Sequence, residues 1–252
     1  MIQNHALQLL TMIAMEPPST SDANAIRDEK LKVLRSLRPF TAESVARDVV
    51  RGQYKAGTVA GQAVPGYQDE TKVPPGSHCE TFVALRTEVQ NWRWAGVPFY
   101  LRTGKRLAAR HAQIVVNFRE VPHPIFPGSA RANKLVIKLQ PEDGLELHLL
   151  AAKGGAQGEM LAPVSLDLDF DKAFASERVG AYERLLMDAI AGRLNLFVRS
   201  DEQEQAWRWV EPILKAWEAD PNGPRPYAAG TWGPPASSAM VARDGCTWDE
   251  EQ

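Results

Sequence analysis

An α+β fold with one large, mostly antiparallel β-sheet is what this sequence predicts. Three observations lead there. The chain opens on helical periodicity, runs through six short strand-like segments with only turn residues between them, and then returns to helical periodicity. Consecutive strands without intervening helices argue for antiparallel pairing, because a parallel pair needs a long crossover. Finally, no G-x-G-x-x-G follows a strand, so no Rossmann dinucleotide turn can be placed.

The elements follow in order. Ile2, Ala6, Leu9, Leu10 and Ile13 recur at i, i+4, i+7 and i+8 spacing and predict an opening helix with one buried stripe. Pro17 and Pro18 end it. A second helix starts at Ser21-Asp22, which are good N-cap types, and runs to about Leu37 before Arg38-Pro39. Thr41 caps a third, short helix that reaches about Val50 and leads into Gly-Gln-Tyr. Residues 55–78 are rich in Gly, Pro and polar types and read as a long excursion, a length that connecting loops rarely reach unless they are functional or mobile. The runs ETFVALRTEV, VPFYLRTGKRL, HAQIVVNFRE, NKLVIKLQP, LELHLLAAK and PVSLDLDF are β-branched or alternating, and they predict the strands. VGAYERLLMDAIAG and SDEQEQAWRWVEPILKAW predict two closing helices, the second capped by Ser200-Asp201 with Glu204 just inside it. The remaining residues hold Pro, Gly and Trp and read as a surface-wrapping tail.

A chain of 252 residues suits one large domain or two small ones, and 44% hydrophobic content allows a sizeable core. The formal net charge of −2 gives no sign of nucleic-acid or membrane-surface binding. No apolar run approaches the roughly 18 residues of a membrane span. The apolar start lacks the basic flank and cleavage site of a signal peptide. Cysteines are sparse, Cys79 and Cys246, which fits a reducing compartment. The expectation is a soluble cytoplasmic protein.

His5 falls at the edge of the opening stripe and is expected half-buried. It is either a satisfied core-edge histidine or a general base, since imidazole titrates near neutrality. Arg102, Lys105, Arg106 and Arg110 place four cations within nine positions, uninterrupted by an acid, at a strand end beside Gly104. They read as a solvated strand end or as an anion site, with Gly104 letting backbone approach a ligand. Gln140 closes the strand NKLVIKLQ and can offer an amide to a sugar hydroxyl or to water. His111, His123 and His148 show no metal-ligand spacing, and no metal site is expected.

The blocks MIQNHALQLLTMIAMEPP, IRDEKLKVLRSLRP, GQY, GYQDETKVPPGSHCETFVAL and NWRWAGVPFYLRTGKRL, and later KLVIKLQP, AYERLLMDAIAG and FVRSDEQEQAWRWVEPIL, resemble the glucose-6-phosphate dehydrogenase family in order, from residue 1 to about residue 234. The resemblance implies its C-terminal domain: a substrate-binding and dimerisation domain spanning 1–252, whose helices pack on one face of the large sheet. It also implies NADP-dependent oxidation of β-D-glucose 6-phosphate to the lactone, the first step of the pentose phosphate pathway. His5 then matches the general base of the family's QNH, and Lys105 the sugar-binding lysine of R-x-G-K. Arg110 and Gln140 match further substrate contacts, and Arg102 weakly matches a cofactor contact. The partners implied are glucose 6-phosphate and a second copy, through the PVSLDLDF strand and its neighbours.

Two departures qualify the resemblance. The family's NADP fingerprint and its H-Y-x-G-K-E segment precede QNH, and this sequence has neither; NADP is expected to bind mainly to that other, N-terminal domain. The chain alone is therefore expected to be an inactive piece of the enzyme. The alternative is a free-standing sugar-phosphate-binding or oligomerisation module; a different sugar oxidoreductase fits less well, because QNH and R-T-G-K occur together. Eukaryotic members also hold a structural NADP in this domain. Here His111, Val115, Lys138, Glu146, His148 and Trp232 stand at the matching places, and a glutamate would repel a 2′-phosphate, so no structural NADP is expected.

Overall fold

The computed structural model describes residues 1–123, 125, 133–154, 160–174 and 180–250. It is mixed α+β with antiparallel sheets, and the chain divides into two compact units. One comprises Met1–Ala108 and Gly180–Gln252; the other is Ala109–Val179. Among the described residues the strands form two four-stranded sheets and a two-stranded ribbon, where the sequence pattern suggested one sheet.

The first unit opens on a π-helical turn, Ile2–Ala6, continued by α1 (Leu7–Ala14). The buried residues are Ile2, Leu7, Leu10, Thr11 and Ala14, while Leu9 is exposed. The inward stripe is therefore out of phase with the uniform 100° projection, because a π turn bonds i to i+5 and winds more loosely. His5, expected half-buried, is exposed for the same reason.

Next come α2 (Ala23–Arg35) and α3 (Ala42–Asp48). Asp22 caps α2 by accepting from Asn24 N at 2.9 Å, and Thr41 forms a capping box with Ser44 on α3. Burial alone would raise the Asp48 carboxyl. The guanidinium groups of Arg47 and Arg38 outweigh it and hold the group below the usual carboxylate range.

β1 (Val49–Lys55) begins where the third helix was expected to continue. It lies inside the first sheet, between parallel β10 (Arg225–Ala228) and antiparallel β4 (Phe82–Glu88), with β5 (Pro98–Gly104) at the edge. Its buried polar residues Arg51 and Gln53 reach partners, although Arg51 Nε has none among the described residues. Arg51 pairs with Asp220 at 3.2 Å, and Gln53 donates to the carbonyls of Ser77 and Cys79.

Val83 and Leu85 of β4 face a cluster built by α1, α2, α3 and α6 (Ser200–Glu218), the helical face that the sequence suggested. Phe82 and Ala84 face the other way, against Tyr54, Tyr227, Met240 and Val241. That second face is covered by the supposed tail, which supplies β10 and α7 (Pro235–Ala242). Arg199, one residue ahead of the expected cap, starts α6, and Glu202 rather than Glu204 turns back to accept from Arg199 N. The excursion after β1 contains the ribbon β2 (Gly57–Val59) and β3 (Gln62–Val64), then a 3₁₀ turn at Tyr67–Asp69. α5 (Ala181–Ile190) completes the unit.

The second unit is a meander of β6 (Ala112–Asn117), β7 (Lys134–Gln140), β8 (Gly144–Lys153) and β9 (Met160–Asp169), followed by α4 (Phe170–Phe174). The register puts Leu145, Leu147 and Leu149 of β8 beside Leu168, Leu166 and Val164 of the edge strand β9. These three β9 residues are exposed, Leu166 at 61%.

Candidate functional site

The cation-rich turn after β5 is held mainly through its backbone. Gly104 pairs with Phe82 at the end of the β4–β5 ladder. A Cβ on Gly104 would come within 2.9 Å of the Phe82 ring and 3.1 Å of Leu107, so packing against these side chains requires a glycine here. Lys105 N donates to Thr81 O at 2.8 Å, and Lys105 O accepts from the Tyr227 hydroxyl at 2.7 Å. Burial pushes that hydroxyl's pKa up, so it remains a donor at neutral pH. Arg106 is left-handed at φ 54, a rare conformation for a non-glycine residue, and its carbonyl accepts from Gly230 N at 2.8 Å. With both backbone polar groups of Lys105 taken, its side chain is the part left to interact.

That side chain lines an open cavity of about 390 Å³, together with Tyr54, Tyr67, Glu70, Thr81 and Arg106. Tyr54 and Tyr67 meet edge to face, with centroids 5.7 Å apart. Glu70 follows the 3₁₀ turn. Its Oε1 accepts from the Tyr54 hydroxyl at 3.0 Å and from Arg106 Nη2 at 3.1 Å. Arg106 first, then Tyr54, holds the Glu70 carboxyl below its ordinary range. The lining thus carries two cations against one committed carboxylate, and among the described residues no carboxylate pairs with the Lys105 ammonium. A net positive wall of aromatic, hydroxyl and ammonium groups suits a small anionic polyol.

The other expected residues lie elsewhere. His5 is in the same unit but is not part of this cavity's lining; it sits exposed on the π turn, and among the described residues its imidazole has no hydrogen-bond partner. Arg110 and Gln140 belong to the second unit. There Gln140 pairs with Ala112, two residues after Arg110, so both stand at one end of the β6–β7 ladder, and both are exposed. Arg102 lies between the rings of Trp248 and Trp232, at 4.5 and 5.1 Å, and pairs with Glu250 at 2.5 Å. Its charge is used within the chain. Glu146, expected to repel a 2′-phosphate, is paired with Lys138 and lies 3.3 Å from His148.

Sequence reasoning passed over Tyr54, Tyr67, Glu70 and Thr81, although GQY, GYQDE and ETF stand among the blocks that carry the resemblance. No group of three or more His, Cys, Asp or Glu among the described residues is placed to hold a metal ion. None of their helices is long and apolar enough to cross a membrane.

Comparisons with known proteins bear on the whole chain. The family model described as glucose-6-phosphate dehydrogenase, C-terminal domain, matches residues 1–249. A glucose-6-phosphate 1-dehydrogenase of Rhizobium meliloti (strain 1021) is 53% identical over 253 residues, covering 99% of this chain and 51% of that protein. One of Mycolicibacterium smegmatis is 49% identical, covering 98% and 50%. A solved structure described as glucose-6-phosphate dehydrogenase in complex with its substrate glucose-6-phosphate superposes with a TM-score of 0.86 at 33% identity, over 98% of this chain and 50% of that one. The Mycobacterium avium enzyme does so with a TM-score of 0.82 at 34% identity. The chain spans about half the length of the curated relatives it matches.

Proposed function

The chain belongs to the glucose-6-phosphate dehydrogenase C-terminal domain family, and on that premise we propose that it is the sugar-phosphate-binding half of a cytoplasmic NADP-dependent dehydrogenase that oxidises β-D-glucose 6-phosphate to 6-phosphoglucono-δ-lactone. The observation that carries this reading is the Lys105 ammonium, unpaired among the described residues, in a tyrosine-walled cavity, in a chain so similar to a protein described with that substrate bound. Lys105 holds the substrate as a point charge and donor. Arg110 and Gln140 add a planar cation and an amide. His5 accepts the proton of the C1 hydroxyl while C1 is oxidised, a task for which imidazole is matched near neutral pH.

NADP, when bound, takes the hydride. This chain's own residues do not fit a dinucleotide. Its described strands meet almost entirely antiparallel, and no glycine-rich turn joins a strand to a helix in G-x-G-x-x-G form. The cofactor is therefore assigned to the other half of the relatives, as is completion of the site around His5. That mismatch also favours the second reading, a binding and assembly module with no redox chemistry of its own.

The isolated chain is expected to bind glucose 6-phosphate weakly, in the millimolar range, and to reduce no NADP. Calorimetry of wild type and Lys105→Ala tests the first point, with roughly tenfold weaker binding expected in the variant. Equal affinities would remove Lys105 from the site. Measurable NADPH production would overturn the assignment of the cofactor to the other half.

The second partner is another copy of the chain. The exposed Val164, Leu166 and Leu168 lie on an edge strand beside the leucines of β8, an apolar surface that a second sheet can cover. Sedimentation should find a dimer that Leu166→Glu converts to monomer. A wild-type monomer at tens of micromolar, a concentration at which a standard-size interface holds, would end this part of the proposal.

A further inference from the structure

The cavity that holds Lys105 also contains an acid able to spoil it. Among the described residues Glu70 is the only carboxylate in that lining, and an anionic substrate would have to compete with it for the ammonium. Two other groups occupy it. Tyr54 and Arg106 bond the same oxygen, Oε1, at 3.0 and 3.1 Å. Neither neighbour reaches Glu70 by chance of a mobile surface. Tyr54 is the buried end of an interior strand, with its backbone N bonded to Thr81 Oγ1 at 3.0 Å. Arg106 is turned into left-handed backbone immediately after Lys105, and its carbonyl is tied to Gly230 N. A residue that pays for a left-handed conformation needs surrounding structure to hold it there, and its side chain here lands on Glu70.

Resting on the reading of Lys105 as the substrate's ligand, we infer that Arg106 and Tyr54 are positioning residues whose task is to sequester Glu70, leaving the Lys105 ammonium open to the anionic group of the sugar phosphate. The lowered pKa of Glu70 agrees with a carboxylate kept ionised by these partners. The device also ties the excursion after β1, which carries Glu70, to the turn after β5, which carries Lys105. The anion site and the loop over it are thereby set together. Arg106 could alternatively be a second direct ligand of the anion, and the two roles give opposite results when Glu70 is removed.

The test is a cycle on this chain, with the dissociation constant of glucose 6-phosphate read by calorimetry at one low ionic strength. Arg106→Met frees Glu70 to turn on Lys105 and should weaken binding about three- to fivefold, the range of a partly exposed ion pair. Glu70→Gln alone should leave binding equal or tighter. Arg106→Met combined with Glu70→Gln should return it to within about twofold of Glu70→Gln. Arg106→Lys, which keeps a cation on Glu70, should stay near wild type. Tyr54→Phe gives a smaller loss that Glu70→Gln also reverses, and it replaces Arg106→Met if that variant does not fold. A double variant as weak as Arg106→Met would overturn the inference and make Arg106 a direct ligand. So would an Arg106→Met variant with unchanged affinity. Lys105→Met separates the two levels of the argument. If it leaves binding intact, the site itself is misread. If it abolishes the effect of Arg106→Met, the guard acts through Lys105, and a persisting effect would overturn that route.

Discussion

Asparagine in place of His5 is expected to slow hydride transfer by about 10²–10⁴-fold, the usual worth of a positioned general base, while KM for glucose 6-phosphate changes by less than about threefold. The measurement uses this chain joined to the N-terminal half of the Rhizobium meliloti relative, because the chain spans about half of that protein. Asparagine keeps a polar side chain of similar reach but cannot take a proton near neutral pH. His5 sits on a π turn, a local widening that recurs at functional sites, and among the described residues its ring is uncommitted. A histidine that merely stabilised the helix would be replaceable with little kinetic effect. Single-turnover rates with substrate deuterated at C1 show whether the slowed step is the hydride transfer. A full rate, or a loss confined to KM, would take the base role from His5.

Lys30→Met is expected to destabilise the first unit by about 3–5 kcal/mol, a large share of the roughly 5–15 kcal/mol that holds a domain folded. Lys30 on α2 meets Glu202 on α6 at 2.9 Å, with side-chain exposures of 7% and 0%. The Lys30 ammonium is the charge partner of Glu202 Oε1, while Glu202 Oε2 accepts from Arg199 N at 2.8 Å. Removing the lysine strands a carboxylate that water cannot reach, and most of the cost comes from that. Around the pair, Arg27 donates to the carbonyls of Phe197 and Leu194, and Arg199 reaches Asp28. Adding Glu202→Gln should recover most of the loss, since glutamine keeps the cap without the charge. Urea unfolding followed by fluorescence, with buried Trp209 in the same helix layer as reporter, gives both values. Equal destabilisation by the single and double variants would show that packing, not stranded charge, is what Lys30 supplies.

These two interlocked segments show what sequence could and could not convey. The starts of these two helices are legible at Ser21-Asp22 and Ser200-Asp201, within a residue of the observed caps Asp22 and Arg199. Nothing local says that Lys30 seeks Glu202, because the partners lie far apart in the chain and meet only through packing. The strands β4 to β9 are legible because alternation and turn residues are local signals. β1 is not, since it is buried on both faces, begins directly after a helix and contains Arg51 and Gln53, which look exposed until their partners are known. β10 and α7 were lost in a Pro- and Gly-rich stretch whose apolar residues are too few for a pattern. Uniform winding misplaced His5 because a π turn leaves no periodic trace. At the site, Lys105 is legible from its cation cluster. Tyr54, Tyr67, Glu70 and Thr81 reach it from three separate segments, a convergence that only the fold creates.

The first unit is interrupted in the chain by the second, which occupies Ala109–Val179. Synthesis runs from one end, so residues 109–179 emerge and can collapse before α6, β10 and α7 exist. Phe82 and Tyr54 then wait without the cover of Tyr227, Met240 and Val241. The hydroxyl that anchors the Lys105 backbone belongs to residue 227. The anion cradle is thus among the last features of the molecule to take shape as it is made.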